Sequence, residues 1–359
     1  MRTPLAHLVA LVLLASPAGC FGAEPSMEAV RVSPDHKGFV LHPSGRPYIP
    51  WGHNYGSVDI LERMAKDPAR VERDFEDMKA AGTTVARIHP EMPLLVTGPD
   101  KADPQAIDQL NHLLKIAEKT GIYLDVTGLA CYKINNRLAW YDAMDEEARW
   151  KTQEFFWETL ARTCAPSPAV FCYCLVNEPA AAAKKTDGWY VGKMGDVEFC
   201  QRLTLDAGTR SGDDIFREWT KRMVAAIRKH DKERLITLGM LPFPGAYKAA
   251  AEQLDFVSPH LYPKSKKVDE EIALLKKFDC GKPLVIEETF PLSCGADDER
   301  DFLLKSRGIA AGWIGHWPDE PPAQLAEMRR TGKATIHSAI WLSWVELFKE
   351  LGPQMTGRK

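Results

Sequence analysis

Two glutamates close runs that read as buried strands. Glu178 ends Val170-Phe171-Cys172-Tyr173-Cys174-Leu175-Val176-Asn177-Glu178-Pro179, and Glu288 ends Pro283-Leu284-Val285-Ile286-Glu287-Glu288. The first run has the β-branched and aromatic content of a buried strand, and the second is an aliphatic, β-branched run of the same kind. Pro179 cannot extend a ladder, so the first run stops at its carboxylate. A carboxylate there is costly unless it is paired, reaches a cleft, or is used. Asn177-Glu178-Pro179 alone also fits a strand end with a solvated Glu and a turn proline. Two carboxylates flanking a bond are what glycosidic cleavage needs: one protonates the leaving oxygen, the other attacks the anomeric carbon. Period-two alternation sets Glu287, with Val285, on the opposite side of its strand from Glu288, which favours Glu288 as attacker and leaves Glu287 as an ion-pair partner.

The elements that would position this pair alternate between strand and helix. Gly38–Tyr48 reads as a small hairpin turning at Ser44-Gly45, and Ile49–Tyr55 as a first strand. Asp67-Pro68 opens a helix with Val71, Phe75 and Met78 on one face and Gly82 to stop it. Thr83–Pro90 is a second strand. Asp103-Pro104 opens the next helix, with Ile107, Leu110, Leu114 and Ala117 inward, and Ile122–Thr127 is a third strand. A helix from about Asp145 to Cys164 delivers the chain to the Glu178 strand as the fourth. A helix marked by Ile215, Trp219, Met223 and Ile227 leads to Leu235–Met240, the fifth. Phe256–Tyr262, Pro283–Phe290 and Ala310–Trp317 complete eight, with helices at about Glu270–Phe278, Asp297–Arg307 and Ile336–Leu351. Eight such units predict a single-domain (β/α)8 TIM barrel rather than an open doubly wound sheet. No glycine-rich phosphate turn follows the first strand, which weakens the nucleotide-binding alternative. The long irregular stretch 180–212 follows strand four and belongs over the C-terminal face, where Trp189 and Tyr190 are candidate subsite aromatics.

Composition limits the partners. The chain has 359 residues with 45% hydrophobic content, which suffices for one large core at this length. Its net charge of −3 with mixed signs gives no basic arm, so nucleic acid is excluded as an expected partner. Arg2 and His7 precede the apolar run 8–15 and the small residues Ser16-Pro17-Ala18-Gly19, the order of an export signal assigned to 1–23, with the barrel over 24–359. That run falls well short of the roughly 20 residues a bilayer span needs, and no later run reaches it, so no transmembrane segment is expected. The expected location is secreted or periplasmic. Pro17-Ala18-Gly19-Cys20 resembles a lipoprotein-type cleavage box, with Pro17 where Leu is usual, so Cys20 is a candidate lipid anchor and soluble export the favoured reading. Of the 8 cysteines, none form a CxxC pair, and free buried thiols are expected for most.

In a barrel, polar groups at the C-terminal ends of strands gather at one face. Those ends supply His53 and Asn54, Arg87 and His89, Asn177 and Glu178, His260 and Tyr262, Glu288, and Trp317. The order of these motifs resembles that of clan A glycoside hydrolases, closest to family 5, the cellulase and mannanase group, over about Gly38 to Trp317. The resemblance implies Glu178 as acid/base, Asn177 bonding the sugar 2-hydroxyl, and Glu288 as nucleophile after Lys282-Pro283. It implies that Arg87, His260 and Tyr262 orient the nucleophile and that Trp317 is a sugar platform. His89 and His53 are further candidates on the same rim. The expected activity is retaining cleavage of β-glycosidic bonds in an oligo- or polysaccharide. The alternatives are a non-catalytic carbohydrate-binding barrel and a transglycosidase using the same residues. No cofactor is implied, and His53 lacks the second His two residues away that a metal-dependent amidohydrolase site would show. Thr289-Phe290 replaces the usual Phe-Gly after the nucleophile, and Gly128–Tyr132 carries no His after strand three. Both departures bear on which sugar is bound.

Overall fold

The structure is a computed structural model that describes residues 27–129 and 132–357. The export segment 1–23, Cys20 and Cys131 lie outside the described residues. Eight parallel strands form the barrel: Trp51–Asn54, Val85–Ile88, Tyr123–Thr127, Val170–Asn177, Leu235–Met240, Ser258–Pro259, Val285–Ile286 and Gly312–His316. They pair in sequence order, and the eighth pairs with the first. Parallel bridges Val257↔Leu284 and His260↔Glu288 link the sixth to the seventh and close the ring. Helices Pro68–Ala80, Pro104–Thr120, Glu146–Cys164, Gly212–Arg228, Pro244–Ala250, Val268–Leu275, Ala296–Ser306 and Ile336–Thr356 follow the strands in turn.

The expected punctuation is realised atom by atom. The Asp67 carboxylate accepts from the Arg70 N–H, and Asp103 accepts from Gln105, each with proline at the first helical position. Each cap satisfies an N–H that has no intrahelical partner. The second of these helices ends at Gly121, whose φ of +66° only glycine adopts cheaply.

Three features depart from the expectation. Strands six and seven are shorter than read: Pro259 and Pro283 lack an N–H, and the Ser258 N–H donates to the Tyr247 hydroxyl at 2.6 Å instead of to a strand. The N-terminal hairpin, Phe39–His42 with Pro47–Tyr48, gains a third strand, Ala29–Val32. The stretch 180–212 is not irregular. Its strands Pro179–Ala181, Tyr190–Met194 and Val197–Thr204 form a sheet that also pairs with Tyr132–Lys133 from the loop after strand three.

The three-stranded N-terminal sheet plugs the bottom of the barrel. Val30, Phe39, Leu41 and Tyr48 bury themselves against Val85, Tyr123, Phe171, Leu235, Phe256, Val285 and Ile314. Phe39 meets Phe171 and Phe256 edge-on, each with ring centroids 5.3 Å apart. Two residues further up each strand, the inward position becomes polar: Arg87, Asp125, Thr237, Ser258, Glu287 and His316 follow Val85, Tyr123, Leu235, Phe256, Val285 and Ile314. The barrel therefore has an apolar floor beneath a polar layer. Truncating Phe39→Ala should cost about 3–5 kcal/mol in urea unfolding, because it opens a cavity in that floor, while leaving kcat of the folded fraction unchanged. A loss below about 1 kcal/mol would mean that the plug does not cover the floor.

Candidate active site

The polar layer is built around Arg87, which is fully buried at the end of strand two. Its Nη1 donates to Glu288 Oε1 at 2.5 Å and to Asn54 Oδ1 at 2.8 Å. Its Nη2 donates to Asn177 Oδ1 at 3.0 Å and stands 3.5 Å from Glu287 Oε2. Asn54 is itself held by strands seven and eight, donating to the carbonyls of Glu287 and Gly315 at 3.0 and 2.9 Å. One guanidinium thus joins side chains of strands one, two, four and seven.

Glu288 receives a second donor. The Tyr262 hydroxyl donates to Oε2 at 2.6 Å, and His316 Nε2 lies 3.0 Å from the same hydroxyl. Because that hydroxyl has given its one hydrogen to Glu288, His316 must donate to it through Nε2. Burial opposes ionisation of Glu288, but the charges of His260 and Arg87 outweigh it and, with the Tyr262 bond, hold the carboxyl well below its usual range.

His260 bridges three carboxylates. Its Nδ1 lies 2.8 Å from Glu178 Oε1 and 3.4 Å from Glu288 Oε2, while Nε2 lies 3.3 Å from Glu287 Oε2. Burial would push this ring down, but Glu288, Glu178 and Glu287 carry it from 6.5 up to about 9. The converse holds for His89, which burial and the Arg87 charge push well down. His89 is buried, and neither ring nitrogen has a hydrogen-bond partner.

Glu178 reaches this cluster through an unusual backbone. Its φ is +47°, a left-handed conformation that non-glycine residues adopt at a cost on the order of 1–3 kcal/mol. The conformation turns the chain out of strand four into Pro179–Ala181. Neighbours on both sides hold it: the Glu178 N–H donates to the Gly239 carbonyl at 3.0 Å, and the Cys200 thiol donates to the Glu178 carbonyl at 2.8 Å. Asn177 Nδ2 donates to the Phe199 carbonyl at 2.9 Å, so the sheet above strand four is bonded directly to the Asn177-Glu178 pair.

Seven of the nine site candidates named from the sequence therefore meet in one cluster: Arg87, His89, Asn177, Glu178, His260, Tyr262 and Glu288. Trp317 does not join them. Its ring is 6% exposed and packs edge-on against His53 with centroids 4.9 Å apart, and His53 in turn lies against Phe348 of the last helix. The reason is strand alternation. Ile314 points into the barrel, so His316 does too, and the intervening and following residues face the helices. His316 occupies the site on strand eight. Trp189 and Tyr190 are used for packing: Trp189 Nε1 donates to the Asp142 carbonyl at 3.1 Å, and Arg137 lies 4.2 Å over the Tyr190 ring. The six described cysteines are all free, four of them buried. Two triplets of described donors come within 4.8 Å of one another, Glu178–His260–Glu288 and Asp125–Cys174–Glu287, a spacing that could hold a cation. Arg87 already contacts a carboxylate in each.

The model of the family described as Cellulase (glycosyl hydrolase family 5) matches residues 55–290, which include all seven clustered residues. The chain belongs to glycosyl hydrolase family 5. No curated protein sequence matches it. Among solved structures, the exo-beta-1,4-mannosidase of Opitutaceae bacterium strain TAV5 aligns with a TM-score of 0.68 at 16% identity, over 92% of this chain and 63% of that one. This chain thus spans less than two thirds of that protein. A family 5 mannosidase from Rhizomucor miehei aligns with a TM-score of 0.60 at 13% identity, covering 92% of this chain and 98% of its own. The beta-mannanase of the blue mussel Mytilus edulis gives 0.58 at 14% identity, over 91% and 97% of the two chains. At these identities the likeness is one of fold, and family membership makes this chain an O-glycosyl hydrolase acting on carbohydrate.

Within this family 5 barrel, Gly239 on strand five leaves the room that the cluster fills. A Cβ there would stand 2.7 Å from Glu287 Oε2, 2.9 Å from His260 Nε2 and 3.0 Å from Arg87 Nη2. Gly239→Ala should therefore lower kcat about 100-fold on an aryl glycoside substrate while the far-ultraviolet circular dichroism stays native. A wild-type kcat would show that the cluster tolerates displacement. The raised His260 value also makes stability depend on pH. Its contribution is complete below about pH 6.5 and is lost as pH rises through about 9. Urea midpoints should fall across that window in the wild type and fall less in His260→Asn; parallel curves for the two proteins would refute the assignment.

Proposed function

We propose that this family 5 enzyme cleaves β-glycosides with retention, with Glu288 as nucleophile and Glu178 as acid/base. The observation that carries this reading is spacing. A carboxylate oxygen of Glu178 and one of Glu288 lie within 4.8 Å of each other beside His260. Inversion needs a water between two carboxyl groups about 6.5–9.5 Å apart, whereas retention uses a pair about 5–5.5 Å apart. The environments support the division of roles. Glu288 faces Arg87 and the Tyr262 hydroxyl, which keep it ionised and aimed at an anomeric carbon. Glu178 has no arginine partner among the described residues and bonds His260, a group that can take or return a proton.

In this reading Glu288 displaces the leaving oxygen while Glu178 protonates it, giving a glycosyl ester on Glu288. Glu178 then takes a proton from water as that water attacks the ester. The Asn177 amide has one N–H left after its bond to Phe199, which is the group offered to charge developing near the 2-hydroxyl, while the two unpartnered ring nitrogens of His89 are buried beside the cluster. The sheet over strand four, anchored beside Glu178, supports a partly closed cleft. The mannosidase and mannanase names of the structural neighbours make β-mannosides the first sugars to assay. Export of the chain by residues 1–23 belongs to the same proposal, and N-terminal sequencing of protein recovered from outside the cytoplasm tests it.

Aryl β-glycosides of the manno, gluco and galacto series test the assignment. Glu288→Ala should reduce turnover to background. Glu178→Ala should lose about 10²–10⁴-fold on poor leaving groups, far less on activated ones, and recover with azide as a β-glycosyl azide. Proton NMR of the first-formed sugar should show the β-anomer. An α-anomer, or near-normal turnover by Glu288→Ala, would sink this mechanism.

A further inference from the structure

Beneath the proposed catalytic pair lies a second pair of carboxyl groups with no place in the mechanism above. Asp125 on strand three and Glu287 on strand seven are both 0% exposed, and an oxygen of each lies within 4.8 Å of the other and of the Cys174 thiol. Asp125 Oδ2 and Glu287 Oε1 have no hydrogen-bond partner beyond what the two carboxyl groups can give each other. Two ionised carboxylates this close, sealed from water, repel too strongly to persist, so one must carry a proton. The surroundings decide which. Glu287 faces the guanidinium of Arg87, the ring of His260 and the thiol of Cys174, which donates to Oε2 at 3.5 Å. Asp125 has the Thr127 hydroxyl at 3.5 Å from Oδ1 and the Cys172 thiol beside it. The cations belong to Glu287, and the proton therefore to Asp125.

We propose that Asp125 and Glu287 share one proton and act as positioning residues, fixing the charge and orientation of His260 against the two carboxylates that do the chemistry. The protonated Asp125 gives Glu287 a donor without adding charge. Glu287 keeps its negative charge and accepts from His260 Nε2, which leaves Nδ1 facing Glu178 and Glu288. The other titratable groups facing the pair are Arg87 from strand two, Cys172 and Cys174 from strand four, and Tyr247 from the helix after strand five. Burial and the neighbouring Glu287 push the Asp125 carboxyl well up, while Arg87 and His260 overcome burial to hold Glu287 down. The Gly239 position adds an independent observation: the strand carries no side chain at the point where Glu287, His260 and Arg87 converge.

This inference rests on the roles proposed for Glu178 and Glu288, and its test reads His260 directly. In full-length protein labelled with 15N-histidine, the His260 imidazole should stay charged at pH 7 in the wild type and titrate near 9. Asp125→Asn, which still donates to Glu287, should leave that titration and the alkaline limb of kcat/KM in place. Asp125→Leu and Glu287→Gln should each move both toward lower pH by at least about one unit. At neutral pH, the infrared difference spectrum of wild type minus Asp125→Asn should contain the carbonyl band of a protonated carboxyl, because Glu178, Glu91 and Glu299 contribute equally to both proteins and cancel. The proposal is overturned if the difference spectrum lacks that band, if Glu287→Gln leaves His260 unmoved, if Asp125→Asn shifts as far as Asp125→Leu, or if the purified protein holds a stoichiometric divalent metal at this pair. Failure of the catalytic assignment reads differently: Glu178→Ala would then keep its turnover while the His260 titrations still followed this pattern.

Discussion

A guanidinium with no exposure to water must be surrounded by groups that replace its hydration, and the interior of this barrel is arranged around that demand. Arg87 draws Asn54, Asn177, Glu287 and Glu288 to itself from strands on opposite sides of the ring. A buried ion pair is weak evidence of net stability, because desolvation offsets much of the attraction. Its effect here is geometric. Removing Arg87 would leave two carboxylates in a low-dielectric interior, so the cluster exists as a unit or not at all. The same charge that makes Glu287 tolerable keeps Glu288 ionised.

The layering of the barrel explains why such a cluster can be held. The floor is aromatic and aliphatic, closed from below by the N-terminal sheet, and excludes water from beneath the ions. Low polarisability around the cluster strengthens each hydrogen bond and raises the cost of leaving any group unpaired. The rim is then free to depart from regular structure. Strands six and seven contribute few ladder bonds, and their ends carry His260, Tyr262 and Glu288, while side-chain hydroxyls and prolines interrupt the pairing.

The sheet above strand four belongs to the same design. A left-handed glutamate is strained, and strain persists only where surrounding structure over-determines it. Bonds from Phe199, Cys200 and Gly239 fix Asn177 and Glu178 from above and beside. The chain that shapes the cleft is the chain that holds the proposed acid/base in position, so its sequence is constrained by both tasks.

Much of this was legible in the residues themselves. Composition and punctuation gave the eight strands and seven of the helices that follow them, missing the short Pro244–Ala250 after strand five, because Asp-Pro caps and apolar runs act within a few residues of chain. Position at strand ends gave Arg87, His89, Asn177, Glu178, His260, Tyr262 and Glu288. Other features needed the fold. His316 in place of Trp317 depended on which face of strand eight turns inward, a two-state choice that Ile314 settles only once the barrel has closed. The sheet formed by 179–204 pairs with Tyr132–Lys133 from another loop, and no local pattern encodes a partner that distant. Glu287 read as an ion-pair partner and Asp125 only as part of its strand; 162 residues separate them, and only barrel closure brings them together beneath His260. Sequence determines what short-range chemistry can specify, the elements and their termini. Charge balance among groups far apart in the chain is decided by tertiary structure, because electrostatic energy depends on distance in space and on exclusion of water.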